Sequence, residues 1–185
     1  MNHAAKPTRR RFMKIGIVGG GLVLLGSAVA YFRTRGYDVS KERAAKLAAL
    51  ESWQLVVVEH VARRVAATDR ADAPTADDVD VADFIDGYVA AMPTAMRRDV
   101  VRLFGYVEHL APVAVGYASR FTRLAPHEQD KVLAGMEASD QDLIRGGFAG
   151  LKSLVFMGYY RDARTWRILG YEGPMVNRPE KGWQR

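Results

Sequence analysis

From about residue 52 onward, apolar positions recur every three to four residues with little strict alternation, which is the period of helices. The run SWQLVVVEHVARRVAA over 52–67 places Trp53, Val56, Val57, Val61 and Val65 on one face and Arg63 and Arg64 on the other. The preceding KERAAKLAAL reads either as a separate turn or as an amino-terminal extension of that helix. A polar loop, TDRADAPTADD, follows, and Asp80 then stands where a helix cap is expected before VADFIDGYVAAM. Val81, Phe84, Ile85, Tyr88, Val89 and Met92 form one stripe there. Pro93 fits the first turn of a third helix running to about Leu110. Met96, Val100, Leu103, Phe104, Val107 and Leu110 are its inward face.

The stretch APVAVGYASRFTRL has the weakest period and is expected to cross the surface of the bundle. Pro126 opens another helix, with Val132, Leu133 and Met136 facing the core. A longer one, DQDLIRGGFAGLKSLVFMGYY, sets Ile144, Phe148, Leu151 and Val155 on one side. It also holds Gly146, Gly147 and Gly150, and glycine costs a helix interior about 1 kcal/mol relative to alanine. Their clustering predicts the close approach of another backbone. A short helix, DARTWRIL, ends at Gly170 as its carboxyl cap, and the tail has two prolines, two glycines and no period. The expectation is an all-α fold: a single bundle of about five to six helices with an irregular carboxyl-terminal tail.

The first thirty residues do not belong to that bundle. MNHAAKPTRRRFMKIGIVGGGLVLLGSAVA joins a basic stretch to a glycine-studded apolar run and ends in small residues at Ala28 and Ala30, the layout of an export signal. Thr8 to Lys14 resembles the twin-arginine consensus [S/T]-R-R-x-F-x-K, with Arg9, Arg10, Phe12 and Lys14 at its defining positions. Such signals serve cargo that folds before crossing the membrane. From Ile15 to Phe32 there are 18 residues without a charge, near the lower limit of about 17 to 25 for a spanning helix. Cleavage after Ala30 is the expectation, with retention as an anchor the alternative. The chain thus divides into an export signal at 1–30, a linker or extension at 31–51, a helical domain at 52–175 and a tail at 176–185.

Setting the leader apart changes the charge. The whole chain carries 27 Lys and Arg against 21 Asp and Glu, a net +6. The leader holds Lys6, Arg9, Arg10, Arg11 and Lys14 and no acid, so 22 positive side chains face 21 negative ones in the remainder. At +1, the mature chain has no electrostatic case for nucleic acid. There is no cysteine, which excludes disulfides, thiolate metal sites and covalently attached c-type haem.

Candidate catalytic chemistry is thin. His60, His109 and His127 stand alone, without an HxxxH or HExxH pair, and read as structural or solvated residues. The aspartates between Asp69 and Asp86 fail a calcium loop, since from Asp78 the sixth position is Asp83 and the twelfth is Val89. Ser119, Ser139 and Ser153 lie in no GxSxG context. No metal site and no catalytic residue is assigned. The concentration of Tyr159, Tyr160, Arg161, Arg164, Trp166 and Tyr171 within thirteen residues stands out instead. These types fill cores, and they also dominate the centres of protein interfaces.

This last third resembles the small-subunit family named after subunit 3 (gamma) of gluconate 2-dehydrogenase. The resemblance is carried by Phe148, Leu151 and Lys152; by Gly158, Tyr159 and Tyr160; by Asp162, Arg164 and Trp166; and by Leu169, Gly170 and Tyr171. SWQLVVVEHVARRV and VADFIDGYVAAM are similar to the family's first two helices, so the likeness spans about 50–175. DRADAPTADD is longer than the family's usual acidic-proline loop.

The resemblance implies a helical, non-catalytic subunit with no redox centre of its own, and Tyr159, Tyr160, Arg161, Arg164, Trp166 and Tyr171 are expected to bind its partner, with Arg164 and Trp166 the most sensitive positions. It implies a large FAD-dependent partner of the glucose-methanol-choline type that oxidises a sugar or other alcohol, with haem c on a separate cytochrome c subunit. Together with the leader it implies a periplasmic location, reached through the twin-arginine translocase, with this chain as the escort. Two other readings are a free-standing exported ligand-binding bundle or enzyme, and a membrane-anchored scaffold without a dehydrogenase partner.

Overall fold

In the computed structural model, residues 36–173 are described, and every regular element among them is helical. A short α1 (Lys41–Ala44) precedes α2 (Ser52–Val65), α3 (Val81–Ala91) and α4 (Thr94–His109). A one-turn α5 (Ala111–Ala114) and a 3-10 turn at Phe121–Arg123 lead into α6 (Pro126–Glu137) and α7 (Asp142–Tyr160). The short α8 (Ala163–Trp166) passes into a second 3-10 turn, Arg167–Leu169. The export-signal residues Arg9, Arg10, Phe12, Lys14, Ala28 and Ala30 lie outside the described residues, as does the tail from residue 174.

Helix ends follow local chemistry. At α2 the Glu51 N–H donates to Gln54 Oε1 at 2.9 Å, and at α6 the Ala125 N–H donates to Glu128 Oε2 at 2.9 Å, so each third-position side chain folds back to satisfy the entry. Pro126 occupies the first turn of α6, where its missing N–H costs nothing. Pro93 is the residue just before α4 rather than inside its first turn. Asp80 precedes α3 as expected, but it does not cap with its side chain. Its φ of 51° is left-handed, and no side-chain capping bond forms. Gly170 takes φ 66° and closes the last turn, as a glycine there should.

Burial places α2 at the centre. Trp53, Leu55, Val57, Val58, Val61 and Ala62 are all buried, and α3, α4, α6 and α7 each pack on this helix. A helix packed from several sides buries more than one stripe. That is why Leu55 and Val58 are inside, while Val56 and Val65, assigned to the inner face, are only half-buried. Helix α4 departs the other way. Its burial is concentrated at Phe104, Val107 and Glu108, so Met96 in the first turn and Leu110 beyond the last are exposed rather than inward. Tyr88 on α3, assigned to the inner stripe, is 39% exposed.

Two buried carboxylates tie irregular chain to the helices. Asp86 on α3 accepts the backbone N–H groups of Ala48 at 2.6 Å, Ala49 at 2.9 Å and Leu50 at 2.7 Å. Glu108 on α4 accepts from the Thr122 N–H at 3.1 Å and its hydroxyl at 2.7 Å, with Arg120 at 3.8 Å. The segment between α5 and α6 therefore does more than cross the surface, because it delivers fully buried Phe121 to the core.

The glycine expectation needs correcting. Nothing lies within 4 Å of a Cβ placed on Gly146 or Gly150, and Gly147 is approached only by the Leu103 side chain. The close backbone approach occurs at Gly158, where a Cβ would stand 2.9 Å from Phe84 Cδ1, 3.1 Å from Val81 Cγ1 and 3.5 Å from Val81 Cα.

Candidate interaction site

Close packing at Gly158 sets the end of α7 against the start of α3, and so brings the aromatic turn beside the loop 74–79. Three side chains then clasp that loop. Tyr159 donates its hydroxyl to the Pro74 carbonyl at 2.7 Å, Arg161 Nη2 donates to the Val79 carbonyl at 3.3 Å, and Arg164 Nη2 donates to the Asp78 carbonyl at 2.7 Å. The loop is preformed for this. Asp78 Oδ2 accepts from the Thr75 N–H at 2.8 Å and the Thr75 hydroxyl at 2.7 Å, and these bonds hold the Asp78 carboxyl below its usual range.

On the other side, Asp162 caps α8 by accepting the Arg164 N–H at 2.9 Å, and it also takes the Arg164 guanidinium at 2.9 and 2.8 Å. The guanidinium first, and the backbone N–H second, bring the Asp162 carboxyl down to about 2. Burial in the first place, then the neighbouring Tyr160 and Asp78, pushes the Tyr159 phenol up. Arg161 also lies over the Phe84 ring, 5.2 Å from its centroid.

Trp166 organises the rest. Its Nε1 donates to the Tyr160 carbonyl at 2.8 Å, its ring meets Tyr171 edge-on at 5.3 Å, and a Cβ on Gly173 would come within 3.0 Å of it. The six residues singled out in the sequence are thus brought together but not put to one use. Tyr159 is buried, Arg161 and Arg164 hold the chain's own loop, and Tyr160 and Trp166 are half-buried. Tyr171 is 45% exposed and Leu169, not singled out, is 59% exposed.

The loop itself was the larger omission. Thr75-x-x-Asp78 after Pro74 is the local signal for a self-bonded turn, and nothing in its spacing tells that a segment 85 positions later will hold it.

A charged cleft of about 470 Å³ adjoins the same loop, lined by Arg43, Glu59, Arg63, Asp77, Asp80 and Asp83. Arg43 pairs with Glu59 at 2.6 Å and Asp83 at 3.1 Å, and Arg63 pairs with Asp77 at 2.7 Å. Among the described residues no group of three or more His, Asp or Glu is placed to hold a metal ion, and no helix is long and apolar enough to cross a membrane. Across the molecule, His60 Nδ1 lies 2.9 Å from Gln129 Nε2, which also donates to the Phe121 carbonyl at 3.0 Å.

Comparison with known proteins adds one match. The family model described as Gluconate 2-dehydrogenase subunit 3 matches residues 53–173, about two thirds of the chain, from Trp53 on α2 to Gly173 under Trp166. No curated protein and no solved structure matches.

Proposed function

The chain belongs to the gluconate 2-dehydrogenase subunit 3 family, and from that premise we propose that it is the non-catalytic small subunit of a periplasmic FAD-dependent dehydrogenase. The partner is a large flavoprotein of the glucose-methanol-choline type acting on a sugar or other alcohol. FAD belongs to that partner and haem c to a separate cytochrome c subunit. The family match is the observation that carries this reading.

The turn from Tyr159 to Tyr171 is its contact surface. Leu169, Tyr171 and the exposed edges of Tyr160 and Trp166 meet the partner, while Tyr159, Arg161 and Arg164 hold the turn in shape through the loop at 74–79. Exposed apolar and aromatic groups on a braced turn suit an interface centre, because little order remains to be lost on binding.

The test is recovery of the complex from the native host. A large flavoprotein should copurify with the wild-type chain, and Leu169→Asp should weaken that association at least tenfold with an unchanged helical melt. Absence of a copurifying flavoprotein removes the reading.

The leader gives the subunit a second task. A flavoprotein that folds around FAD in the cytoplasm needs an export route for folded cargo, and Arg9 and Arg10 supply that address. Replacing both with lysine should leave dehydrogenase activity in the cytoplasmic fraction, with the two subunits still associated. Normal periplasmic activity in that variant would show that the large subunit travels alone.

A further inference from the structure

Gln129 on α6 serves two acceptors with one atom. Its Nε2 lies 3.0 Å from the Phe121 carbonyl oxygen and 2.9 Å from His60 Nδ1 on α2. A carbonyl can only accept, so the Phe121 contact fixes which end of the amide faces this pair. His60 Nδ1 must then accept as well, and the neutral ring carries its proton on Nε2. Gln129 is 3% exposed and Phe121 is fully buried, whereas His60 is half-buried. A proton can therefore reach the ring while its hydrogen-bond partner stays sealed from water. The bonded carbonyl belongs to the 3-10 turn Phe121–Arg123, which packs on α2, α4 and α6 alike.

We propose that His60, Gln129 and the Phe121 carbonyl form a proton-operated latch that ties the segment between α5 and α6 to the central helix. With His60 neutral, one amide nitrogen satisfies both acceptors and the latch is closed. A proton on Nδ1 sets donor against donor. Turning the amide over relieves that clash but sets Oε1 against the Phe121 carbonyl, acceptor against acceptor. Either way a buried polar contact is lost. The turn then keeps the Leu124 N–H on that carbonyl at 3.1 Å and the two Glu108 bonds to Thr122. It loosens locally while the helices stay packed.

The charges that bear on the ring are Arg63 and Glu59 on its own helix and Glu108 on α4, itself 3.8 Å from Arg120. From α6 and the 3-10 turn the ring's latch partners are Gln129 and the Phe121 carbonyl, neither of which titrates. Burial in the first place, and then Arg63, keep the ring neutral to lower pH than a free histidine. The latch is thus closed at neutral pH and opens below about pH 6.5. It stands apart from the dehydrogenase reading and is tested on the full chain alone.

Two measurements decide it. In nitrogen-15-labelled protein at about pH 7.5, the His60 ring should show a protonated Nε2 and a bare Nδ1. Amide exchange, corrected for the intrinsic effect of pH, should show Arg123 and Leu124 losing roughly tenfold in protection as His60 takes up its proton, while Leu151 to Val155 on α7 keep theirs. His60→Gln keeps an acceptor that does not titrate, so protection of the turn should no longer follow pH. Gln129→Met keeps the length of the side chain without the amide, and the turn should already be loose at neutral pH. A proton on Nδ1 of the neutral ring overturns the inference whether or not either variant folds. So does a loss spread evenly over all the helices, a loss at Arg123 and Leu124 that persists in His60→Gln, or full protection of those amides in Gln129→Met.

Discussion

Tyr159 donates its hydroxyl to the carbonyl oxygen of Pro74 at 2.7 Å, joining the end of α7 to a loop 85 positions earlier in the chain. The phenol is buried and its partner is a backbone group, so the bond fixes where the loop runs. Arg164, five residues later on α8, repeats the device on the Asp78 carbonyl.

Tyr159→Phe keeps the ring and removes that bond. The expected cost is about 1 kcal/mol, or roughly 2–4 °C in the melting temperature of a domain this size. Limited proteolysis should cut the loop at 74–79 faster in the variant. An unchanged melt and unchanged cutting would mean the loop is held by Arg161 and Arg164 alone.

Two glycines should respond in opposite directions to one substitution. Gly87 lies in mid-α3 with nothing within 4 Å of a Cβ, so Gly87→Ala should stabilise by about 1 kcal/mol through helix propensity. At Gly158 the new methyl would strike Phe84 and Val81, and there Gly158→Ala should destabilise by about 1–3 kcal/mol. Urea unfolding of the two variants beside wild type measures both signs.

His60 makes stability depend on pH. Burial, and then Arg63, lower its pKa, outweighing the opposing pulls of Gln129, Glu108 and Glu59. The unfolded chain therefore takes up the proton at higher pH than the folded one. Stability from this group is complete above about pH 7 and falls as pH drops through about 6.5. Between pH 7.5 and 5.5 the urea midpoint of wild type should fall further than that of His60→Gln. Parallel falls would remove His60 as the cause.

Asp86 and Asp83 occupy the same helix and should differ sharply when truncated. Asp86→Ala abandons three N–H donors, of exposed Ala48, half-buried Ala49 and buried Leu50, and should cost about 3 kcal/mol or more. Asp83→Ala removes one partner of an exposed ion pair with Arg43 and should cost about 0.5 kcal/mol. Equal losses would mean that residues 48–50 contribute nothing to the folded domain.

Much of the helical layout was legible because apolar period and helix punctuation are local properties. Pro126 and Gly170 sit at the ends they were read to mark, and α7 runs through DLIRGGFAGLKSLVFMGYY without a break. Long-range polar pairing has no such local trace. Asp86 and Glu108 look like any exposed helical acid until the segments they hold are placed against them. Trp53 and Met96 read alike as core residues, yet only Trp53 has neighbours on that side. The site shows the same division. Its aromatic and arginine residues were visible as a cluster, but their sharing out between bracing a loop and facing solvent is a property of the fold.

The three bonds on Asp86 also decide how the domain takes a pull. A tether acting on the amino-terminal side strains Arg43's pairs to Glu59 and Asp83, then the Ala48, Ala49 and Leu50 bonds, before tension reaches the first buried turn of α2. Those three bonds converge on a single carboxylate, so they share the load and pass it into the middle of α3. Force from outside therefore enters at mid-α2 through Glu59 and at mid-α3 through Asp86, and α2, the helix against which the rest of the bundle is packed, is not peeled away from its own first residue.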